Sequence, residues 1–168
     1  MSMFHAADHY MEHSISGLPP ESLTQRIGAA NSILWIVGHV TVGRLRLLAL
    51  LGEPGDVPWR AAFGKGSTES ADLVRPDLAT VLARWRETSK LIEQKLATLT
   101  ASELATASHY DLPAQDATLL GVIHYFAFHE VYHIGQIAST RKALGHPMAR
   151  RTAERVAPLG LMETAAVP

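Results

Sequence analysis

Apolar positions recur at helical spacing in four segments of the chain, and no segment shows the strict alternation of a strand. These segments cover residues 2–16, 31–51, 75–99 and 115–144. In the third, one face of a helix carries an apolar stripe formed by Leu78, Val81, Leu82, Trp85, Ile92, Leu96 and Leu99. The pattern predicts an all-α protein built as a four-helix bundle.

Residues that start or stop helices lie at the predicted boundaries. Asn31 or Ser32 is the expected N-cap of the second helix, and Asp116 is the expected N-cap of the fourth. Pro76 suits the first turn of the third helix, because its missing N–H is not needed there. Gly145 is a stop signal for the fourth helix.

A long loop connects the second and third predicted helices, from Gly52 to Val74. It is rich in glycine and proline and contains Trp59 and Phe63, aromatic residues of a kind that is usually buried. Such loops often have a function, so we expect this one to pack on the bundle or to cover a site. Residues 1–147 are predicted to form one domain, and residues 148–168 an irregular C-terminal extension.

Composition and charge exclude several classes of protein. Hydrophobic residues make up 47% of the chain and charged residues 18%, which is inconsistent with overall disorder. The net charge of -1 argues against a general nucleic-acid coat and against a polybasic membrane anchor. The most apolar stretch, residues 33–51, is interrupted by His39, Arg44 and Arg46, so we interpret it as a buried helix. We expect a cytoplasmic protein without nucleic-acid or membrane partners, and a small-molecule substrate if the protein is an enzyme.

Cysteine is absent from the chain. This excludes disulfide bonds, thiolate metal ligands and a cysteine nucleophile. Any thiol chemistry would therefore require a thiol from outside the protein.

Histidine is the unusual residue, with nine in the chain. His129 and His133 are four residues apart, so they lie on one face of a helix, about 40° apart, and can reach one metal ion. Their neighbours on that face are largely apolar, and an unpartnered imidazole in an apolar interior is costly. His39 lies among apolar residues of the second helix, which a bundle can place opposite the pair. The alternative is three core histidines satisfied by hydrogen bonds.

The other histidines are not expected to join this group; they are His5, His9, His13, His109, His124 and His146. His124 lies about 140° around the helix from His129, on another face. The first three form a row on the solvent side of the first helix, where an adventitious metal site is conceivable. His109 and His146 are loop residues without an evident partner.

The segment HEVYH at 129–133 matches the H-E-x-x-H pattern of zinc proteases, in which the glutamate is the general base. Glu154 is conceivable as a third ligand in such a site. Against a zinc hydrolase, Glu130 lies about 100° around the helix from His129, and no strand is predicted that would align a peptide. The hydrolase stays an alternative at this point.

Two longer segments and one loop pattern resemble the DinB-like superfamily. The segments are ILWIVGHVTVGRLRLLALLG at 33–52 and IHYFAFHEVYHIGQIASTRKALG at 123–145, and the loop pattern comprises Trp59, Phe63, Gly66 and Ser67. The resemblance covers about residues 1–147. It implies a four-helix bundle with up-down-down-up connectivity that is often a homodimer.

The resemblance also implies a divalent metal, zinc or nickel, held by three histidines. In this chain they are His39, His129 and His133. Some relatives are transferases or isomerases that use bacillithiol, mycothiol or glutathione as an external thiol. Others have no demonstrated reaction, and nothing in this sequence selects a thiol.

Three further residues are candidates to orient a metal ligand or to contact a substrate: Gln136, Arg46 and Tyr125. Gln136 lies one turn beyond His133, Arg46 could hold an anionic group, and Tyr125 could donate a hydrogen bond. Their alternatives are a helix-packing amide, a surface arginine and core packing. Three hypotheses therefore remain open: a metal-dependent enzyme, a non-catalytic metal-binding stress-response bundle, and a metal-free interaction module.

Overall fold

The computed structural model describes residues 3–53, 56–67, 73–108, 110 and 117–148. In these ranges the protein is all-α, and the only extended pairing is an isolated bridge between Ala107 and Thr118. The predicted C-terminal extension lies outside the described residues except for Met148, so its irregular structure stays a prediction.

The described residues form four long helices and three short ones. In chain order they are α1 (Met3–Ile15), α2 (Pro20–Thr24), α3 (Ile33–Leu50), α4 (Arg60–Phe63), α5 (Leu78–Thr98), α6 (Ala101–Leu104) and α7 (Leu119–Ala143). The long helices are the four that the apolar pattern predicts. The short helices were not predicted, because four or five residues are too few to show a helical period.

The predicted start of α3 is confirmed. The Ser32 side chain accepts a hydrogen bond from the backbone N–H of Trp35 at 3.2 Å and so caps the helix. The predicted start of the third long helix is wrong, because α5 is capped by Asp77, which accepts from the N–H of Thr80 at 2.7 Å. Pro76 therefore precedes the cap and is not part of the first turn.

The predicted start of the fourth long helix is also wrong. The helix begins at Leu119, where Thr118 accepts a hydrogen bond from the N–H of Gly121 at 3.2 Å. Gln115 and Asp116, the predicted first residue and cap, lie outside the described residues. A threonine at the observed boundary satisfies a free N–H of the first turn, so no cap is needed further upstream.

Side-chain contacts give the directions of α1, α5 and α7. The Arg86 side chain binds Glu12 near the end of α1, and Glu93 lies 3.4 Å from His5 near its start, so α5 is antiparallel to α1. Arg141, in the last turn of α7, donates to backbone carbonyls at the end of α1. Helices α1 and α7 are therefore parallel.

The direction of α3 follows from its contacts with α7. Near the start of α3, the ring of His39 lies 4.8 Å from that of His133. One turn later, a Cβ atom on Gly43 would lie 3.9 Å from the ring of Phe126, which is earlier in α7. The two helices therefore run antiparallel.

Helices α3 and α5 run parallel. The guanidinium of Arg44, in the middle of α3, lies 3.4 Å from the centre of the Trp85 ring, and Lys95 binds Glu53 just beyond the end of α3. Parallel neighbours need a long connection, which the loop between them provides. The connectivity is up-down-down-up, as the resemblance implies.

Apolar side chains form two core clusters. One surrounds Trp85 and Phe63, so the long loop packs on the bundle as expected, and the other surrounds Phe4 and Phe126. Helix α3 contributes to both clusters. Among the described residues it is also the one helix long and apolar enough to cross a membrane, but 72% of it is buried inside the protein. A core helix passes the same test of length and composition.

Candidate metal centre

Three histidines from two helices meet at one point beside α4. The Nε2 atom of His129 lies 3.2 Å from Nε2 of His39 and 3.1 Å from Nε2 of His133. The potential ligand atoms of the three rings all lie within 4.8 Å of one another, and all three residues are half-buried. The predicted convergence of one histidine of α3 with two of α7 is confirmed.

Hydrogen bonds on the outer side of two rings fix where their protons are. Nδ1–H of His39 donates to the backbone carbonyl of Phe63 at 2.7 Å, and Nδ1–H of His133 donates to Oε1 of Gln136 at 2.7 Å. Both oxygens can only accept, so each Nδ1 must carry the proton. In the neutral rings, Nε2 of His39 and of His133 therefore present lone pairs towards His129.

These lone pairs leave a site that suits a cation. If Nε2 of His129 carries a proton, it can donate that proton to Nε2 of His39 or of His133, but not to both. The remaining Nε2 then has no hydrogen-bond donor. Nδ1 of His129 is buried and has no hydrogen-bond partner among the described residues. A divalent ion bound by the three Nε2 atoms removes the conflict between these nitrogens, and the outer hydrogen bonds of His39 and His133 are typical of metal-binding histidines. The group could therefore hold a metal ion.

The electrostatic environment keeps the histidines neutral. Burial, together with the neighbouring His133 and His39, lowers the pKa of His129 to about 3. Burial also lowers the pKa of His39 and of His133, although their hydrogen bonds to Phe63 and Gln136 act in the opposite direction. Neutral imidazole is the form that binds metal ions.

The loop that contains α4 holds His39 in place. A Cβ atom on Gly38 would lie 2.5 Å from the Phe63 ring, so only glycine lets this ring pack against α3. The Trp35 ring stacks on His39, with centroids 4.8 Å apart, and its Nε1–H donates to Ser67 at 3.1 Å. Two residues of the loop pattern, Phe63 and Ser67, therefore have a defined structural role at the site.

A cavity of about 610 Å³ opens beside the three histidines. Arg46 and Tyr125, two of the sequence candidates, lie in its wall. The Tyr125 ring also stacks on His129, with centroids 5.9 Å apart. Gln136, the third candidate, contacts the site through its hydrogen bond to His133. Roles for these residues in binding a substrate stay predictions.

Comparison with known protein families identifies the DinB superfamily over residues 3–137. The chain belongs to the DinB superfamily. The matched region contains all three histidines of the cluster and ends within α7. A search of curated proteins finds no match for the sequence.

The structure contradicts the H-E-x-x-H hydrolase interpretation of this DinB protein. Glu130 is 1% exposed, and its two carboxylate oxygens accept from the guanidinium of Arg44 at 2.7 and 2.8 Å. A general base must contact the metal-bound water, whereas this carboxylate points into the bundle core. Glu154, the suggested third ligand, lies outside the described residues.

The charged cluster around Arg44 was missed in the sequence. Arg44 is fully buried, and it also donates to Asp8 at 2.7 Å and makes a short hydrogen bond to Ser89. Burial raises the pKa of Glu130 to about 7, although the charge of Arg44 acts against this. The available signal was an arginine within the most apolar stretch of the chain, which we interpreted only as a break in a membrane-span pattern.

The remaining described histidines of this DinB protein do not contribute to the site. His124 is exposed, as expected for the other face of α7. In α1, the rings of His9 and His13 stack with centroids 6.4 Å apart. Within the ranges that the structure describes, no second group of three residues is arranged to hold a metal ion.

The two loop histidines have different outcomes. The expectation that His146 lacks a partner is wrong, because its Nε2 lies 2.8 Å from the hydroxyl of Ser22, within hydrogen-bond distance. The reason is tertiary: α2, which was not predicted, brings Ser22 to the end of α7. His109 lies outside the described residues.

Proposed function

We propose that this DinB-superfamily protein is a metal-dependent enzyme that acts on a small molecule in the cavity beside His39, His129 and His133. The observation that carries the proposal is the meeting of three Nε2 atoms at the cavity wall. Three imidazole ligands leave at least one position of a zinc-like ion open for an exchangeable ligand. An ion held by these three rings would lie beside a cavity large enough for a small substrate.

The chain's own residues supply binding and orientation. Gln136 and the Phe63 carbonyl hold two of the histidine rings in the orientation that presents Nε2 to the ion. A bound divalent ion lowers the pKa of a water molecule or of an external thiol. Tyr125 and Phe126 form apolar parts of the cavity wall.

We further propose a transferase or isomerase reaction with an external low-molecular-weight thiol, and zinc or nickel as the native ion. Any thiol in this reaction would come from outside the chain, because the chain has no cysteine. The cavity favours an enzyme over a purely structural metal site, since structural sites are usually closed by a fourth protein ligand.

Metal analysis of single variants tests the site. We expect about one divalent ion per chain, and at least tenfold weaker binding in each of His39→Ala, His129→Ala and His133→Ala, because each removes one of three ligands. His124→Ala is the matched control, since it removes an exposed histidine of the same helix. Full metal content in any two of the three site variants would contradict the proposal.

A spectroscopic titration separates the enzyme from a non-catalytic metal-binding bundle. In the cobalt-substituted protein, 2-mercaptoethanol is expected to change the absorption spectrum, because a thiolate enters the open position. An unchanged spectrum at saturating thiol would favour the structural alternative.

A further inference from the structure

The cavity beside the three histidines is strongly cationic. Arg46 of α3, Arg60 of α4 and Lys65 of the following loop all lie in its wall. Among the described residues, no aspartate or glutamate lines this cavity. Three positive charges therefore share one space with no negative charge from the described wall.

These cations differ from the other basic side chains of the bundle. Arg44, Arg84, Arg86 and Lys95 each form an ion pair with a carboxylate at 2.6–2.8 Å. In the part of the chain that the structure describes, the basic residues of the cavity form no such pair. The Arg46 guanidinium instead lies 5.2 Å from the centre of the Tyr110 ring. Its hydrogen-bond donors are thus available to a ligand.

Arg46 is also close enough to the histidines to affect them. Arg46 lies in the same cavity wall as His39 and His129. Arg46 is half-buried, whereas the alternative interpretation of this residue was a surface arginine. A molecule that reaches from the histidines to Arg46 stays within the same cavity.

We propose that the cavity selects a small anionic substrate, with a carboxylate or phosphate group held by Arg46, Arg60 and Lys65 and a donor atom directed to the histidines. Arginine recognises both anions through paired N–H donors, and the two exposed cations add charge at the mouth. This inference rests on the proposed function for the role of the donor atom, but the anion selectivity rests on the cationic wall alone.

Thiols of equal length and different charge test the proposal. The probes are 3-mercaptopropionate, 3-mercapto-1-propanol and 3-amino-1-propanethiol, titrated into the cobalt-substituted protein and followed by the thiolate-to-cobalt absorption band. We expect the anionic thiol to bind at least tenfold more tightly than the neutral one, and the cationic thiol most weakly. The preference is expected to decrease at high salt.

Variants assign the selectivity to the named residues. Arg46→Gln is expected to remove most of the preference for the anionic thiol over the neutral one. The double variant Arg60→Gln/Lys65→Gln, which changes exposed loop positions, is expected to reduce the preference without disturbing the core. Arg86→Gln is the control, because it removes a cation outside the cavity and should leave the preference unchanged.

An experiment on the metal-free protein tests the cationic site separately from the proposed metal-dependent function. In the metal-free protein, 3-mercaptopropionate is expected to shift the NMR signal of the Arg46 Nε–H, and 3-mercapto-1-propanol is not. Failure to bind cobalt, with this shift present, would overturn the proposed function but support the cationic site. Normal cobalt binding with equal affinity for all three thiols and no shift would overturn the inference about the anionic substrate.

Discussion

Helices α3 and α7 carry two polar clusters that are neighbours in sequence and opposite in character. His39 and His129 belong to the cluster at the cavity, and Arg44 and Glu130 belong to the cluster in the core. In the core cluster, both oxygens of the carboxylate accept from the guanidinium, which makes further bonds to Asp8 and Ser89. In the histidine cluster, nitrogen atoms face one another at 3.1–3.2 Å without enough protons to satisfy them.

The difference teaches how to separate structural from functional polar residues in a bundle. Adjacent residues of a helix point about 100° apart, so His129 faces the cavity and Glu130 faces the core. A buried polar network in which each member is satisfied specifies the packing of a core. Ligand atoms that converge beside a cavity and lack partners instead indicate a place for something that the chain does not supply.

The largest expected effect is on the free energy of unfolding, when the core cluster of Arg44 and Glu130 is broken. Arg44→Met leaves the buried carboxylate of Glu130 without its partner, so we expect a loss of about 3–5 kcal/mol in the free energy of unfolding. Urea denaturation of the purified variant measures it. Metal content per folded chain is expected to stay near that of the wild type, because the histidine ligands are unchanged.

A double variant is the control for this prediction. Arg44→Met/Glu130→Leu replaces the pair by apolar side chains of similar size, which is often neutral or stabilising. It should therefore recover most of the stability lost in Arg44→Met. A single variant as stable as the wild type would show that the ion pair is not the feature that holds this part of the core.

A fall in pH is expected to change the free energy of unfolding in opposite directions through the two clusters. The pKa of His129 is lowered to about 3 in the fold from an unfolded value of 6.5, so the unfolded chain binds more protons between these values. Metal-free protein should therefore lose stability as pH falls below 6.5, with a contribution from His129 of at most about 1.4 kcal/mol per pH unit. Denaturation of EDTA-treated wild type and His129→Gln at several pH values isolates this contribution.

Glu130 contributes the opposite dependence of stability on pH. Its pKa is raised to about 7 from 4.5, so its contribution to stability is fully present below pH 4.5 and is lost as pH rises through 7. Glu130→Gln should remove this slope and leave that of His129 in place. Slopes of the same sign in the two single-variant comparisons would contradict the contrast between the clusters.

The sequence was enough to predict the four long helices and the grouping of the three histidines, for physical reasons. Long amphipathic segments repeat their pattern over several turns, so α3, α5 and α7 could be recognised. The spacing of His129 and His133 fixes their shared face within one helix. Placing His39 opposite them relied on the bundle fold, which the resemblance supported.

The errors came from features that a local pattern does not contain. The N-caps Asp77 and Thr118 depend on which of several polar residues the backbone selects, so the predicted helix starts were wrong. The pair of Arg44 with Glu130 joins residues 86 positions apart and needs the tertiary fold. The positions of Arg60 and Lys65 depend on a loop whose path the apolar pattern does not determine.

The smallest expected effect tests how the histidine cluster is held. Gln136→Leu removes the acceptor that fixes Nδ1–H of His133, so its ring loses both its orientation and its preferred tautomer. We expect about tenfold weaker metal binding, measured by competition with a chromophoric chelator, and little change in the free energy of unfolding. Gln136→Glu keeps an acceptor oxygen at the same position and should retain the affinity. Equal weakening in both variants would mean that Gln136 acts through helix packing, and the cluster would then be held by its α3 side and the α4 loop alone.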